Sequence, residues 1–517
     1  MLDQNKILFC SLVPEHFGGI YLALVELKSY LLHKKVNFTF DHIQAYIESS
    51  TYEIVSGILA RGARIIGFSV YLWNHEKIIS IARQVKKRQK DVLIIVGGAI
   101  PTYQADEMLQ ECAAFDIAVQ GQGEETLLQL LQHIEKNNFD FTRIPSVVYR
   151  KEPGAAVLQN PYRDNCDIAN HHYPLLTDDL EGLPIVYFET ARGCMFKCKY
   201  CAYRLNFHGR SIVKYYPVEK VFTDLENIFK LQAVKQLILF DTNPVYAKAR
   251  KHRDRGLRII RYINQLNQKR VEKGLNSIQI EVDTQPDDLD DEIIEELKRL
   301  NAHIYSFGLQ SIDPTVLRLS NRRFNKEKFI ENTRKLQQKS GARIYIEIIY
   351  GLPGDSLEKF KQSLEFVLSA IQPYFIYTYH FKLLPGSLFW EERGQYNWFY
   401  NEKPPYNVIS TETFSKEDFR RAGHISGFIR LVYIMFRGIK NTVDKYFNHN
   451  KVFVYEKIMD DIFDRHSDFF DLENFKEENV YAVIKKLRDD ANARQRYQMK
   501  KEMRKIIEEE KSNDKGK

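Results

Sequence analysis

Short apolar runs and longer amphipathic stretches alternate along most of this chain, and the alternation occurs in two blocks. In the first, Lys6-Ile-Leu-Phe-Cys10, Arg64-Ile-Ile-Gly-Phe-Ser-Val70 and Asp91-Val-Leu-Ile-Ile-Val96 read as strands, with helices predicted from about Ile20 to His33 and from Asn74 to Gln89. Strands that are apolar at successive positions are covered on both faces, so residues 1–150 are expected to form an α/β unit, a Rossmann-like, doubly wound parallel sheet. The pattern lapses over 151–182, where Pro153-Gly154, Asn160-Pro161 and Asp164-Asn165-Cys166 predict an interdomain linker. It resumes over 183–395, with strands expected at Val186–Thr190, Gln236–Asp241, Ser277–Asp283, His303–Gln310, Arg343–Tyr350 and Phe375–Leu383. Amphipathic stretches such as Leu289–Leu300 and Lys326–Lys339 lie between them, which predicts a partial (β/α)6 barrel. Residues 396–517 open with aromatic and proline-rich sequence and turn helical from Lys416, so a mostly helical C-terminal extension is expected.

Composition narrows the functional classes. A length of 517 residues with 44% hydrophobic content supports two or three cored domains. The 75 basic residues are nearly matched by 68 acidic ones, so no nucleic-acid partner is expected. Cys10, Cys112 and Cys166 are scattered, which argues against a disulfide framework and for a reducing, cytoplasmic setting. No signal peptide is read at the start. The most apolar late stretch, Phe428–Phe436, is too short to cross a bilayer and carries Arg430, so it predicts a core helix and no membrane partner. The mixed charges of Lys485–Lys517 predict a solvated helix fraying into a charged tail.

The remaining cysteines carry the chemistry. Cys194, Cys198 and Cys201 are spaced C-x3-C-x2-C, and three converging thiolates are the donor set of a soft metal centre. With no fourth cysteine nearby, one coordination position is left open; a zinc site completed by His208 is the alternative. This stretch, with Tyr200 before the last cysteine and Ile185–Gly193 as the strand leading in, resembles the signature of the radical S-adenosylmethionine (SAM) enzymes. The resemblance implies a [4Fe-4S] cluster whose open iron is chelated by SAM, and reductive cleavage of SAM to a 5'-deoxyadenosyl radical. It also implies a reducing electron donor such as flavodoxin or ferredoxin.

In the barrel, the resemblance places the Tyr200 carbonyl against the adenine of SAM, Glu347 and the Gly-Leu-Pro after it beside that ring, and Gln310 in a Gly-x-Gln-Ser motif at 308–311. Glu281 and Asp283 are candidates for the ribose, and Asp241 or Asn243 for the SAM amino group. Each of these side chains has a plainer reading as an interior polar residue bonded to loop backbone.

The N-terminal loops are similar to the cobalamin-binding domain of the cobalamin-dependent radical SAM branch. The similarity rests on Gly67-Phe-Ser69-Val-Tyr71-Leu-Trp73-Asn74, Gly97-Gly98 and Gly121-Gln-Gly123-Glu124, making Ser69, Tyr71, Trp73, Gly97, Gly98, Gly121, Gly123 and Glu124 the expected cobalamin contacts. The histidine that ligates cobalt in Asp-x-His-x-x-Gly is missing, and neither His16 nor His42 has its spacing, so a histidine-off state is expected. Tyr71 and Trp73 read alternatively as core aromatics, and an N-terminal domain without cobalamin is the competing reading of the whole unit. The branch's commonest activity, methyl transfer to an unactivated carbon of a small molecule or peptide, is the expected reaction, with cyclisation or rearrangement as the other. No catalytic side chain can be assigned. With the cofactors in separate domains, loss of the cluster is expected to leave corrin binding intact.

Overall fold

The computed structural model describes residues 2–514 except 15–18, 20, 153, 165–166, 176, 204–212, 340, 474 and 477. His16, Cys166 and His208 therefore lie outside the described residues.

Hydrophobic alternation builds the first unit. It runs β1 (Asp3–Val13), α1 (Leu22–His33), β2 (Thr39–Tyr46), α2 (Thr51–Ala60), β3 (Ala63–Ser69), α3 (His75–Arg88), β4 (Leu93–Gly97), α4 (Ala99–Glu111), β5 (Ile117–Val119), α5 (Glu124–Glu135), β6 (Val147–Arg150) and β7 (Val157–Gln159). Ile7, Phe9, Ile65 and Ile95 pack toward α1 and α5, while Leu8, Cys10, Leu12, Ile66, Phe68, Ile94 and Val96 pack toward α2, α3 and α4. The sheet order is β2-β1-β3-β4-β5-β6-β7, parallel through β5. This is the doubly wound arrangement, and its order reverses between β1 and β3, where such sheets open a crevice at the carboxyl edge.

Two features were not evident from pattern. β2 is an edge strand whose side chains are mostly half-buried or exposed, so it shows no apolar run. β6 and β7 add antiparallel strands and carry the sheet to Gln159, inside the stretch expected as linker, because turn-rich flanks hide so short a strand. Cys10 and Cys112 are buried in the apolar core, and burial raises both thiols.

The second unit runs β8 (Ile185–Phe188), β9 (Ala191–Gly193), β10 (Val213–Tyr215), α6 (Val218–Lys230), β11 (Gln236–Leu239), α7 (Arg250–Glu272), β12 (Gln279–Thr284), α8 (Asp291–Arg299), β13 (Ala302–Gln310), α9 (Pro314–Leu319), α10 (Lys326–Gln337), β14 (Arg343–Tyr350), α11 (Leu357–Phe366) and β15 (Phe375–His380). Its sheet is wholly parallel, ordered β15-β14-β13-β12-β11-β8, an open barrel of six strands. Outward positions such as Ile280, Val282, Phe307, Ile346 and Ile348 are buried under the helices. Inward positions such as Glu281, Asp283, Ser306, Tyr345, Glu347, Tyr377 and Tyr379 are half-buried or exposed. The concave face is therefore polar and aromatic, unlike the core behind it.

After the short helix α12 (Leu388–Glu392) and the hairpin β16 (Phe399–Tyr400) and β17 (Val408–Ser410), the extension is α13 (Lys416–Met435), α14 (Arg437–Tyr446), α15 (Lys451–Arg465), α16 (Val480–Arg488) and α17 (Ala493–Asp514). A Ser415/Asp418 capping box starts α13, whose buried residues include Ile425, Phe428, Ile429, Leu431 and Val432. The expected core helix is thus present, packed beside the edge strand β15, where Phe419 stacks on His380 at 4.5 Å. α17 departs from the solvated helix expected for the tail. Met499, Met503 and Ile507, all at 0% exposure, form a four-residue-spaced stripe packed into the core, too sparse to stand out among the charges. No helix among the described residues is long and apolar enough to cross a membrane.

Candidate functional site

Between the two units lies a cavity of about 620 Å³. Ser69, Tyr71, Trp73, Gly97, Gly98, Gly121, Gly123 and Glu124 all line it, and so do Tyr187, Glu189, Arg192, Tyr203 and Phe240 of the second unit. The glycines serve different ends. A Cβ on Gly97 would meet nothing within 4 Å, so this residue leaves space, whereas Gly98 has φ +108° and a Cβ there would lie 2.7 Å from the Val70 carbonyl oxygen. Tyr71 and Trp73 stack at 4.7 Å and 3° on a loop fixed by Asn74, which accepts from the Tyr71 N–H at 2.8 Å and donates to the Leu12 and Ser69 carbonyls at 3.1 Å. Trp73 is 49% exposed, so it is not a core aromatic. His42 is exposed and is not among the residues lining the cavity.

Arg192, which no motif singled out, joins the units. Its Nη1 donates to Glu124 at 2.5 Å and to Gln122 at 3.2 Å, its Nε donates to Glu189 at 2.6 Å, and the Tyr216 hydroxyl reaches Glu189 at 2.8 Å. The attraction of Arg192, acting against burial, holds the Glu124 carboxyl below its ordinary value. Tyr103 adds a second tie, its hydroxyl donating to the Ala202 carbonyl at 2.8 Å.

Cys194, Cys198 and Cys201 follow directly from β9, Cys198 buried and the others half-buried. Their loop is pinned around Cys198: the Lys199 N–H donates to Ser320 O at 3.0 Å, the Phe389 N–H donates to Lys199 O at 3.0 Å, and Asn321 Nδ2 donates to Lys197 O at 3.0 Å. Donors already point at the sulfurs. The Tyr203 N–H lies 3.3 Å from Cys201 Sγ, and Arg322 Nη1 lies 3.5 Å from Cys198 Sγ. Arg322 also donates to the Tyr200 hydroxyl at 3.1 Å, to Gln285 at 2.8 Å and to the Gly308 carbonyl, so one guanidinium ties the cysteine loop to the end of β13. Among the described residues no three His, Cys, Asp or Glu side chains are grouped for a single ion. A cubane takes one thiolate per iron, so its three ligands stand apart by the width of the cluster, and soft donors supported by N–H groups and a guanidinium suit it.

The concave face of the barrel collects the other expected residues. Glu281 accepts from Gln236 at 3.0 Å, and burial raises its carboxyl. Asp283 opens to solvent on that face, yet the protein packed around it, followed by Glu347 and Glu281, pushes it up to about 8. Burial also raises Glu347, against hydrogen bonding from Gln310 and Tyr379 and the charge of Arg322. Gln310 has φ +68° and a buried Oε1 without a partner, a strained backbone that aims an unsatisfied acceptor. Asp241 is engaged within the chain, accepting from the Thr190 N–H at 3.1 Å and the Thr190 hydroxyl at 3.0 Å; burial pushes its carboxyl up to about 6. Asn243 Nδ2 is buried without a partner. Arg192 and Arg322 were missed because they meet Glu124 and Cys198 from far away in sequence, and Tyr187 and Glu189 because only folding puts them in the cavity wall; the one available signal was the position of Glu189 and Arg192 beside the cysteines.

Thiols after the first strand of an open parallel barrel, and a glycine-lined cavity reaching back to the same loop, define a class of enzyme that brings an iron-sulfur cluster and a large organic cofactor together. Residues 188–367 match the family model of the Radical SAM superfamily, and residues 27–131 match that of the B12 binding domain. The chain is a B12-binding radical SAM protein. Its cofactors are accordingly a [4Fe-4S] cluster, SAM and cobalamin. It is 23% identical over 359 residues to an uncharacterized methyltransferase of Pyrococcus horikoshii, covering 68% of this chain and 73% of that one. It is 25% identical over 363 residues to a 2-(S-pantetheinyl)-carbapenam-3-carboxylate methyltransferase of Streptantibioticus cattleyicolor, covering 66% of this chain and half, 50%, of that longer protein. Its fold is shared with the cobalamin-dependent S-adenosylmethionine radical enzyme OxsB, solved with aqua-cobalamin and S-adenosylmethionine bound, at a TM-score of 0.68 and 16% identity, covering 99% of this chain and 81% of that one.

Proposed function

We propose that this protein is a cobalamin-dependent radical SAM methyltransferase that methylates an unactivated carbon of a small-molecule or peptide substrate. The observation that carries the reading is the shared cavity, because its walls come from the glycine loops of one unit and from Tyr187, Glu189, Arg192, Tyr203 and Phe240 of the other. A corrin held there lies beside the concave face of the barrel. When bound, the cluster and SAM supply a hydrogen-abstracting radical, and cobalamin supplies a methyl group.

The chain's own residues do the rest. Cys194, Cys198 and Cys201 hold the iron, and Arg322 keeps their loop against β13. Gly97 leaves space for a flat ring that Tyr71 and Trp73 border, and Gly121 and Gly123 bring their loop into the same wall. Gln310 and Glu347 contact SAM, and Tyr200 offers its backbone carbonyl to the adenine. Glu281 and Asp283, on the same face, are ribose or substrate contacts. Asp241, already bonded to Thr190, orders the end of β8, and the buried Nδ2 of Asn243 is the better donor toward a ligand. Electrons come from a flavodoxin or ferredoxin.

The test is anaerobic reconstitution with iron, sulfide and hydroxocobalamin, then reduction in the presence of SAM. Bound corrin, with formation of 5'-deoxyadenosine and S-adenosylhomocysteine, supports the reading. A cyclase or mutase would form 5'-deoxyadenosine without S-adenosylhomocysteine, and absence of a corrin band would overturn the cobalamin assignment.

A further inference from the structure

Glu26 lies on α1 in the wall of the shared cavity and is 2% exposed. Its Oε2 is buried without a hydrogen-bond partner, and Glu26 alone among the described cavity-lining residues carries such an atom. The cations near it are already committed: Arg192 bonds to Glu124 and Glu189, and Lys220 bonds to Asp224 at 2.6 Å. The segment around it, Leu22-Ala-Leu-Val25 and Leu27, is apolar, as are its cavity neighbours Ile95, Val119 and Leu127. Leucine would suit such a place, since an unsatisfied buried polar atom costs about 1–3 kcal/mol. Among the described residues the charges of Lys220 and Arg192 act on Glu26, yet none donates a hydrogen bond to this oxygen, so its partner belongs to what fills the cavity.

The occupant must bury a broad apolar surface and still offer a donor at this point. Cobalamin does both, having a large ring fringed with carboxamides and a tail bearing hydroxyls. We propose that Glu26 accepts a hydrogen bond from a neutral donor of the bound cobalamin, either a carboxamide N–H at the corrin rim or a hydroxyl of the nucleotide tail. The inference rests on the placement of cobalamin in this cavity argued above. It adds a contact that no loop motif indicates, on a helix face the sequence presents as core.

The experiment titrates the full chain with hydroxocobalamin, following the corrin absorbance, in wild type, Glu26→Gln, Glu26→Leu and Glu26→Met. The two apolar variants should bind about tenfold more weakly, while Glu26→Gln, which keeps an acceptor oxygen, should stay within about threefold. Without ligand, the apolar variants should melt at or above the wild-type temperature, which separates lost contact from lost fold; either one is sufficient if the other does not fold. Repeating the titration with cobinamide, which lacks the nucleotide tail, identifies the donor. A loss that persists assigns the corrin rim, and a loss that disappears assigns the tail. Wild-type affinity in a folded apolar variant overturns the inference, whereas wild type that binds no hydroxocobalamin overturns the placement of cobalamin instead.

Discussion

The two parallel sheets prepare their carboxyl ends by opposite means. At the first, Gly97 leaves open space, Gly98, Gly121 and Gly123 let the backbone pass close to Val70, Tyr162 and Leu27, and Tyr71 and Trp73 border the cavity. At the second, Glu281, Asp283, Glu347, Tyr377 and Tyr379 project inward from β12, β14 and β15, and burial holds the carboxyls above their ordinary values, with Glu347 and Glu281 adding to the rise at Asp283. One surface is built to admit a bulky ligand, the other to confront a ligand with charge and hydrogen bonds. The contrast shows how one α/β plan yields, at its strand ends, both a glycine-bearing receptacle and a carboxyl-lined chamber.

The sharpest break is Cys198→Ala. Iron should be lost and reductive SAM cleavage should fall to background, as read by iron and sulfide analysis and a 5'-deoxyadenosine assay. The structure revises the accompanying expectation that corrin binding stays untouched. Arg192 and Tyr203, on either side of the cysteines, line the cavity, so cobalamin affinity should drop by a few-fold as the loop loosens.

Arg192→Met comes next. It strands Glu124 and Glu189 as buried carboxylates, and losing one partner of a buried pair costs about 3–5 kcal/mol, to be measured by urea unfolding. A change below about 1 kcal/mol would mean that the bridge does not hold the units together.

Gly97→Leu tests the receptacle alone. Its side chain enters open space, so the fold should hold while hydroxocobalamin affinity falls about a hundredfold. Unchanged affinity would remove the cavity from the cobalamin site.

Asp283→Asn gives the smallest effect and concerns the chamber. An acid raised in the fold from 3.8 to about 8 keeps its proton there while the unfolded chain has lost it, so stability falls as pH climbs between those values. The asparagine variant should lose that slope and gain about 1 kcal/mol near pH 8, the full linkage being discounted for the exposure of the group. Parallel pH profiles of unfolding for variant and wild type would show that neither burial nor the neighbouring carboxylates hold Asp283 above its ordinary value.

Much of this was readable in one dimension. Buried strands announce themselves by apolar runs, so β14 spans the expected Arg343–Tyr350 and the other barrel strands fall close to theirs. The three cysteines and the glycine loops were legible because their chemistry depends on spacing within a few residues. Edge strand β2 and the packed stripe of α17 were not, since half-exposed or sparse apolar positions leave little periodic signal.

What sequence alone determined, then, was which elements form and which local motifs they present, because backbone geometry and hydrophobic period act over a handful of positions. Only the tertiary structure decided that Arg192 meets Glu124, that Arg322 meets Cys198, and that Glu26 lines the cavity while holding a buried, unsatisfied oxygen. A buried charge finds its partner by packing, across 68 residues in the first case and 124 in the second, and no period in the chain encodes such a meeting.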